Sequence, residues 1–434
     1  MAIYGIDLGT TNSLLGLGDT LLTGLVPSIV DLSSKKAGSQ ERENADAVRS
    51  FKVDISTGNE GLQSIVASAE VLKELKRQAN LKGKIQAVIT VPAEFDDNQR
   101  KATIKAAELA NIDVKALVNE PTAAALYITK GKKKVVVVFD LGGGTFDVSV
   151  IDSRFGSYDV QHSAGNAHLG GDNLDALIVS HLLKIGKVQA FRLSKQQKLD
   201  LRLLATDTKI RMQKERKDFE VDLSQFGGEV VVFKEDSYIS LMQRAFMKCM
   251  TQLHQVLNYS IEAGTSYDMA LVGGSTRCPY LREWITREIG QAPMELDYNP
   301  DYAVAYGAAL YAKMFENGEV DYLVSDITKG LSVGLEDGTV QNVIPSGSKI
   351  PIEEEVMLTN PTDLECLDVA LYQGDSGLSC NNYYIGNLIY DYGRLVPKYQ
   401  GAVIVTVNVG LSGTVTLSCR EIGKVPVIKE LVLT

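Results

Sequence analysis

The stretch "YGIDLGTTNS" (4–13) decides how this chain is read. An apolar, strand-like run reaches one carboxylate, Asp7, and then breaks into Gly9-Thr10-Thr11-Asn12-Ser13. Small residues and hydroxyls in such a turn suit an ordinary hairpin or the floor of a phosphate site, and the segment alone fits both. A second stretch, "VVFDLGGGTFDVS" (137–149), repeats it: apolar strand, Asp-Leu-Gly, a glycine and threonine turn, then another strand. Two similar loops imply two related half-domains, each giving one loop to a shared cleft.

Glycines let the backbone curl so that successive N–H groups point at one spot and bind an anion. Thr10, Thr11, Asn12 and Thr145 add neutral donors. Carboxylates beside a phosphate repel it unless a divalent cation lies between. Asp7, Asp140 and Asp147 therefore make sense together as ligands or water-holders for Mg2+, which prefers oxygen and keeps several waters. Neither loop ends in the Gly-Lys-Ser/Thr of a P-loop, which excludes that architecture. A third glycine pair closes an apolar strand in "MALVGGSTRCPYL" (269–281), followed by Ser275 and by Arg277, whose plane can stack on an adenine.

Composition sets the frame. The 434 residues suffice for two or more domains, and 45% apolar with 23% charged content is that of a globular protein. A formal charge of −10 argues against nucleic-acid binding. No apolar run approaches the roughly 20 residues of a membrane helix. The N-terminus shows neither a basic segment nor a cleavage site, so no signal peptide is expected. Five scattered cysteines read as reduced packing residues in a cytoplasmic protein, and four scattered histidines form no metal spacing.

Up to about residue 318 short β-branched runs alternate with helical stretches. "KIQAVITVPAEF" (84–95) and "KKKVVVVFDLGGG" (132–144) read as buried strands; "SAEVLKELKRQANL" (68–81) and "NQRKATIKAAELANI" (98–112) read as helices. Residues 194–217 predict a charged, solvated helix. Such alternation implies α/β layers. After Gly318 a short apolar segment, Tyr322-Leu323-Val324, precedes period-two runs at 365–373, 402–410 and 413–421. These predict a β-sandwich of about eight short strands. The expected fold is α/β: a two-lobed domain over 1–318, a linker over 319–325, and a small all-β sandwich domain over 326–434.

"GIDLGTTNS", "VITVPAEFDDNQR", "NEPTAAAL", "FDLGGGTFDVSV", "HLGGDNLD", "LVGGSTR" and "NPDYAVAYGAAL" occur in that order. Together they resemble the signatures of the seventy-kilodalton heat-shock chaperone family, the DnaK type, within the actin and hexokinase-like ATPase superfamily. The resemblance implies an actin-like ATPase domain that binds ATP or ADP with Mg2+. It implies that Gly9-Thr10-Thr11-Asn12 and Gly142-Gly143-Gly144-Thr145 wrap the phosphates. Asp7, Asp140 and Asp147 then organise the metal and attacking water, with Glu120 holding water in the metal shell. "AVRSFKVD" (47–54) resembles the segment carrying the catalytic lysine, which points to Lys52; Thr145 stands beside the terminal phosphate. Gly170, Gly171, Gly273, Gly274, Ser275, Arg277, Asp301 and Lys209 fall on the adenosine side. Pro92 and Arg100 match a relay toward the linker, in which Leu323 and Asp326 take part. The β domain is implied to hold extended apolar peptides or unfolded segments along a strand edge. A nucleotide-exchange factor is a candidate partner.

The chain departs from the family pattern in several places. Only residues 35–67 stand where the family has a whole extra subdomain. The chain stops at Thr434 just after β strands, so the helical lid over bound peptide is expected to be missing and peptide to exchange quickly. Thr206 and Gln213 replace a Glu and a Ser flanking Lys209, and Ala116 replaces an arginine used for J-domain docking, which puts that partnership in question. Two other functions fit the pattern: a nucleotide-gated module for one dedicated partner, and a small-molecule kinase of the superfamily. The absence of an identifiable sugar-binding carboxylate counts against the kinase.

Overall fold

The computed structural model describes residues 2–55, 61–93, 95–155, 157–166, 168–261, 265–295, 299–319, 325–326, 329–410, 415–423, 425 and 427–430. Two sheets of the same plan build the first part. In one, Thr20–Leu21, Asn12–Leu17 and Ile3–Asp7 form an antiparallel meander, to which Ile85–Val91 and then Ile112–Asn119 add in parallel. In the other, Asp159–Asn166, Phe146–Asp152 and Val135–Leu141 run antiparallel and Tyr267–Val272 adds in parallel. The repeat thus extends from two loops to two half-domains, and both loops are hairpin turns at equivalent strand ends.

Eight helices are present among the described residues: α1 (Leu62–Gln78), α2 (Asp97–Leu109), α3 (Glu120–Thr129), α4 (Gly171–Ile185), α5 (Lys195–Glu215), α6 (Glu235–Ser260), α7 (Pro279–Ile289) and α8 (Ala303–Glu316). α3 and α8 are alanine-rich and share one buried core with residues of both sheets, including Ile3, Val88, Val136 and Ala270. Their approach is too close for side chains: a Cβ on Gly5 would strike the α8 backbone at Ala309, and one on Gly307 the Ala123 carbonyl. α1 and α2 cover the outer face of the first sheet, and α4 to α7 that of the second. None of the described helices is long and apolar enough to cross a membrane.

Some expectations are corrected. The predicted helix at 98–112 ends at Leu109, because Asn111 adopts a left-handed φ of 58° and Ile112 opens a strand. α5 is more than a solvated helix: it buries Leu199, Leu201, Ala205, Thr208 and Met212 and turns Thr206, Lys209 and Gln213 to the cleft. Three short strands, Lys36–Ala37, Ile29–Asp31 and Val48–Arg49, form a small sheet packed on α1. Cys249, Cys278 and Cys419 are buried as expected, but Cys366 and Cys380 are exposed and do not serve packing.

The β part has two four-stranded sheets enclosing one core. One orders Val340–Ile344, Leu331–Gly334, Leu364–Gln373 and Tyr383–Val396; the other Ile352–Thr359, Ala402–Val409, Val415–Glu421 and Val427–Glu430. Tyr383–Val396 is not short: it runs 14 residues, and register shifts in its pairing let one strand follow the curved sheet. Ser325–Asp326 pairs with Lys349–Ile350, and Lys349 reaches back to Asp159 of the second lobe at 2.6 Å.

Candidate active site

The two hairpin turns face each other across a cleft of about 700 Å³. The first loop brings Gly9, Thr10, Thr11 and Asn12 to it; the second brings Gly142, Gly143 and Thr145. Asp7, Glu120, Asp140, Gly171, Lys209, Gly273, Gly274, Ser275, Arg277 and Asp301 also line it. Gly144 and Gly170 lie just behind the wall. A Cβ on Gly143 would collide with Thr11 of the opposite loop, and one on Gly170 would meet the Gly143 carbonyl oxygen at 2.5 Å. Gly143 therefore lets the second loop take the Thr11 side chain of the first against its backbone, and Gly170 lets the start of α4 approach the second loop.

Lys52 and Asp147 stand in a small adjoining chamber, with Thr10, Thr145 and Pro92 in its wall. Lys52 lies on a 3-10 turn (Phe51–Asp54), is 2% exposed, and pairs with Glu120 at 2.5 Å. Glu120 opens α3, and the residue before it, Asn119, accepts a 2.6 Å bond from buried Arg100. Arg100 also donates to the Phe95 carbonyl, so the segment from Pro92 to α2 is tied to the base of Glu120. Leu323 lies outside the described residues, and Asp326 is described only as backbone in a short strand.

The electrostatics are lopsided. Asp7, Glu120, Asp140 and Asp147 gather with Lys52 as the ammonium among them. Burial, then the Glu120 charge, pushes the Asp7 carboxyl up to about 7, against the Lys52 ammonium and a 2.9 Å bond donated by Thr90. Burial, followed by Glu120, Asp147 and Asp7, holds Asp140 well above the usual carboxylate range. Carboxylates so placed favour a further cation. Among the described residues no three acidic, His or Cys side chains stand close enough to chelate a metal directly. The donor set fits a hard cation held largely through water.

On the other side of the cleft Lys209 pairs with Asp175 at 2.7 Å, and Thr206 donates to the same carboxylate at 2.8 Å. Ser275 donates to the Gly142 carbonyl at 2.8 Å, which joins the third glycine turn to the second loop. Arg277 is held by Asp301 and Asn299. The sequence reading missed Thr90, Ser50, Asp172 and Asp175. Asp172 and Asp175 stand one helical turn apart at the start of α4, a spacing that marks a shared face; Ser50, which donates to Asp172, and Thr90 carry no local signal.

The family model described as "Hsp70 protein" matches residues 38–430. The chain belongs to the Hsp70 family. It is 31% identical to a chaperone protein HscA homolog of Haemophilus influenzae (strain PittGG) and 33% identical to one of Vibrio vulnificus (strain CMCP6). Each alignment covers 96% of this chain and 75% of the relative. The first runs over 479 positions, more than the 434 residues available, so this Hsp70 lacks residues that its relative has within the aligned stretch. As an Hsp70 it is a chaperone-type ATPase that binds ATP and ADP, of a family that binds unfolded peptides and co-chaperones.

Proposed function

We propose that this Hsp70 couples Mg2+-dependent ATP hydrolysis in residues 1–318 to peptide binding in residues 326–434, through a linker at 319–325, in the cytoplasm. The observation that carries the reading is the meeting of both loops and Glu120 at one cavity, with Lys52 paired to Glu120 from the chamber beside it. The loops Gly9–Asn12 and Gly142–Thr145 cradle the phosphates, and Lys209, Ser275, Arg277 and Asp301 hold the adenosine end. Asp7, Asp140 and Asp147, with Glu120 beside them, would hold Mg2+ mostly through water. When bound, the ion neutralises phosphate charge. Lys52 stabilises charge on the transferred phosphoryl group, Thr145 stands beside it, and Asp147 orients water.

Coupling follows if nucleotide and peptide favour different arrangements of the two parts. Pro92, Arg100, Leu323 and Asp326 form the relay: Arg100 fixes Asn119 one residue before Glu120, so a shift at Glu120 is felt in α2. Limited proteolysis at Tyr322–Ser325 tests this. Protection on adding ATP, reversed by an extended apolar peptide, is the expected result; a cleavage rate indifferent to both overturns it. Ala116 favours a second reading, a module for one dedicated partner, because it is fully buried and offers no cation for docking a J-domain. That reading predicts one strong co-purifying protein and no ATP-sensitive binding across a peptide panel.

A further inference from the structure

The catalytic chamber has a second side. Thr10 and Thr145 belong both to the main cleft and to the chamber of about 40 Å³ that contains Lys52 and Asp147. Val53 and Gln99 belong both to that chamber and to an outer cleft of about 580 Å³. The outer cleft is rimmed by Arg49, Asp54, Gln63, Ser64 and Asn98, of which Asp54 and Gln63 are exposed. Three adjoining spaces, divided by these shared residues, thus lie in line from the nucleotide cleft, past Lys52, to the surface between α1 and the start of α2.

Above the loops the way is barred. Ser50 donates to Asp172, whose backbone N–H is in turn bonded to the Gly143 carbonyl at 2.7 Å. Lys195 pairs with Asp46 at 2.5 Å and Gln196 donates to the Glu43 carbonyl, so the short-stranded module of the first lobe is clasped to α5 of the second. Bound ADP would fill the main cleft itself.

We infer that inorganic phosphate leaves by this back passage while ADP is still bound. The inference rests on the proposed placing of the terminal phosphate beside Lys52 and Thr145. Hydrolysis adds water to the terminal phosphate of ATP and yields ADP and phosphate, so the freed anion starts beside the chamber. A chamber of 40 Å³ holds water but is narrow for phosphate, so its shared walls must yield. Val53 is half-buried, and its side chain stands where a Cβ on Gly144 would crowd it. Gln99 is held by the capping box of α2, accepting from the Asp96 N–H at 3.1 Å. The outer cleft sets one cation, Arg49, already bonded to backbone carbonyls, against two carboxylates, Asp54 and Asp96, which makes it a conduit and not a resting place for an anion.

The test compares cleavage by acid quench, phosphate release by a fluorescent phosphate-binding sensor, and ADP release by a fluorescent analogue, in single turnovers of the full chain. Gln63→Trp places a bulky ring at the exposed mouth, and Gln99→Ala widens the inner gate. Phosphate release lagging cleavage by about fivefold or more in Q63W, no slower than wild type in Q99A, with ADP release unmoved in both, is the expected result. Phosphate release unchanged in both variants, or slowed only in step with ADP release, overturns the passage and leaves the site reading intact. Unchanged cleavage in Lys52→Ala would remove the site reading, and the passage with it.

Discussion

The two hairpins are copies in backbone and opposites in charge. Both place an aspartate at the end of the strand that enters the loop, Asp7 and Asp140. In the first hairpin the residue paired with Asp7 is Leu14; in the second the residue paired with Asp140 is Asp147. The first lobe brings its carboxylate a hydroxyl, Thr90, and a nearby ammonium, Lys52. The second lobe adds a further carboxylate. One half therefore supplies a buried ammonium and the other a second carboxylate; in the function proposed above the first acts on phosphate and the second favours a metal. A duplicated scaffold has become two unlike halves of one site.

Removing the first half's contribution has the largest expected effect. Lys52→Ala lowers kcat by on the order of 10²–10³, the usual loss for one transition-state donor. It also leaves Glu120 buried without its ammonium, so Thr145→Ala, a smaller perturbation with a comparable expected loss, is the control. Single-turnover hydrolysis on folded protein measures both. Full activity in the pair would mean that the first lobe's cation is structural only.

The charge difference itself can be broken next. Asp140→Asn removes a carboxylate that burial and three acidic neighbours oppose and that the Lys52 ammonium favours. It is expected to raise the Tm of the nucleotide-free protein while weakening Mg2+-dependent nucleotide binding. Asp7→Asn should stabilise less, because Thr90 and Lys52 already compensate Asp7. Scanning calorimetry with and without Mg-ADP separates them; equal shifts in both variants would erase the asymmetry.

Much of this site was legible locally. Asp-Leu-Gly followed by a Gly/Thr turn is a contiguous signal, so both loops and their pairing could be read off, as could the β-sandwich from period-two alternation. What escaped was carried by long-range contact. Ser50 meets Asp172 across 122 positions and Thr90 meets Asp7 across 83, and neither residue's neighbours announce a partner. Lys52 sits in "RSFKVD", which has the look of a surface turn; only the resemblance singled it out, and burial explains it. α5 reads as solvated because its apolar positions are few, yet a cleft needs polar residues on the face it lines.

The clasp between the lobes gives a smaller effect. Ser50→Ala removes one partly buried bond to Asp172, which keeps its 2.7 Å pair with Arg202. The expected result is ADP release faster by about two- to tenfold, from roughly 0.5–1.5 kcal/mol of lost bridging. Lys195→Ala should do less, since that pair is exposed on both sides. Stopped-flow release of a fluorescent ADP analogue orders the two.

The smallest effect is expected where the second lobe meets the β part. Lys349 and Asp159 join at 2.6 Å, with the lysine half exposed and the aspartate more sheltered. An ion pair of that exposure contributes about 0–1 kcal/mol, so Lys349→Ala should leave fold and basal hydrolysis unchanged. Its reach is confined to the second lobe: Asp159 begins the strand hydrogen-bonded to Phe146–Asp152, the strand that carries Asp147. Weakening the contact should therefore shorten the ATP-induced protection of the linker without altering Mg-ADP affinity. If proteolysis at Tyr322–Ser325 in the variant matches the wild type with ATP present, coupling does not run through the acidic lobe. It would then run through the first lobe, where Arg100 and Asn119 tie α2 to Glu120.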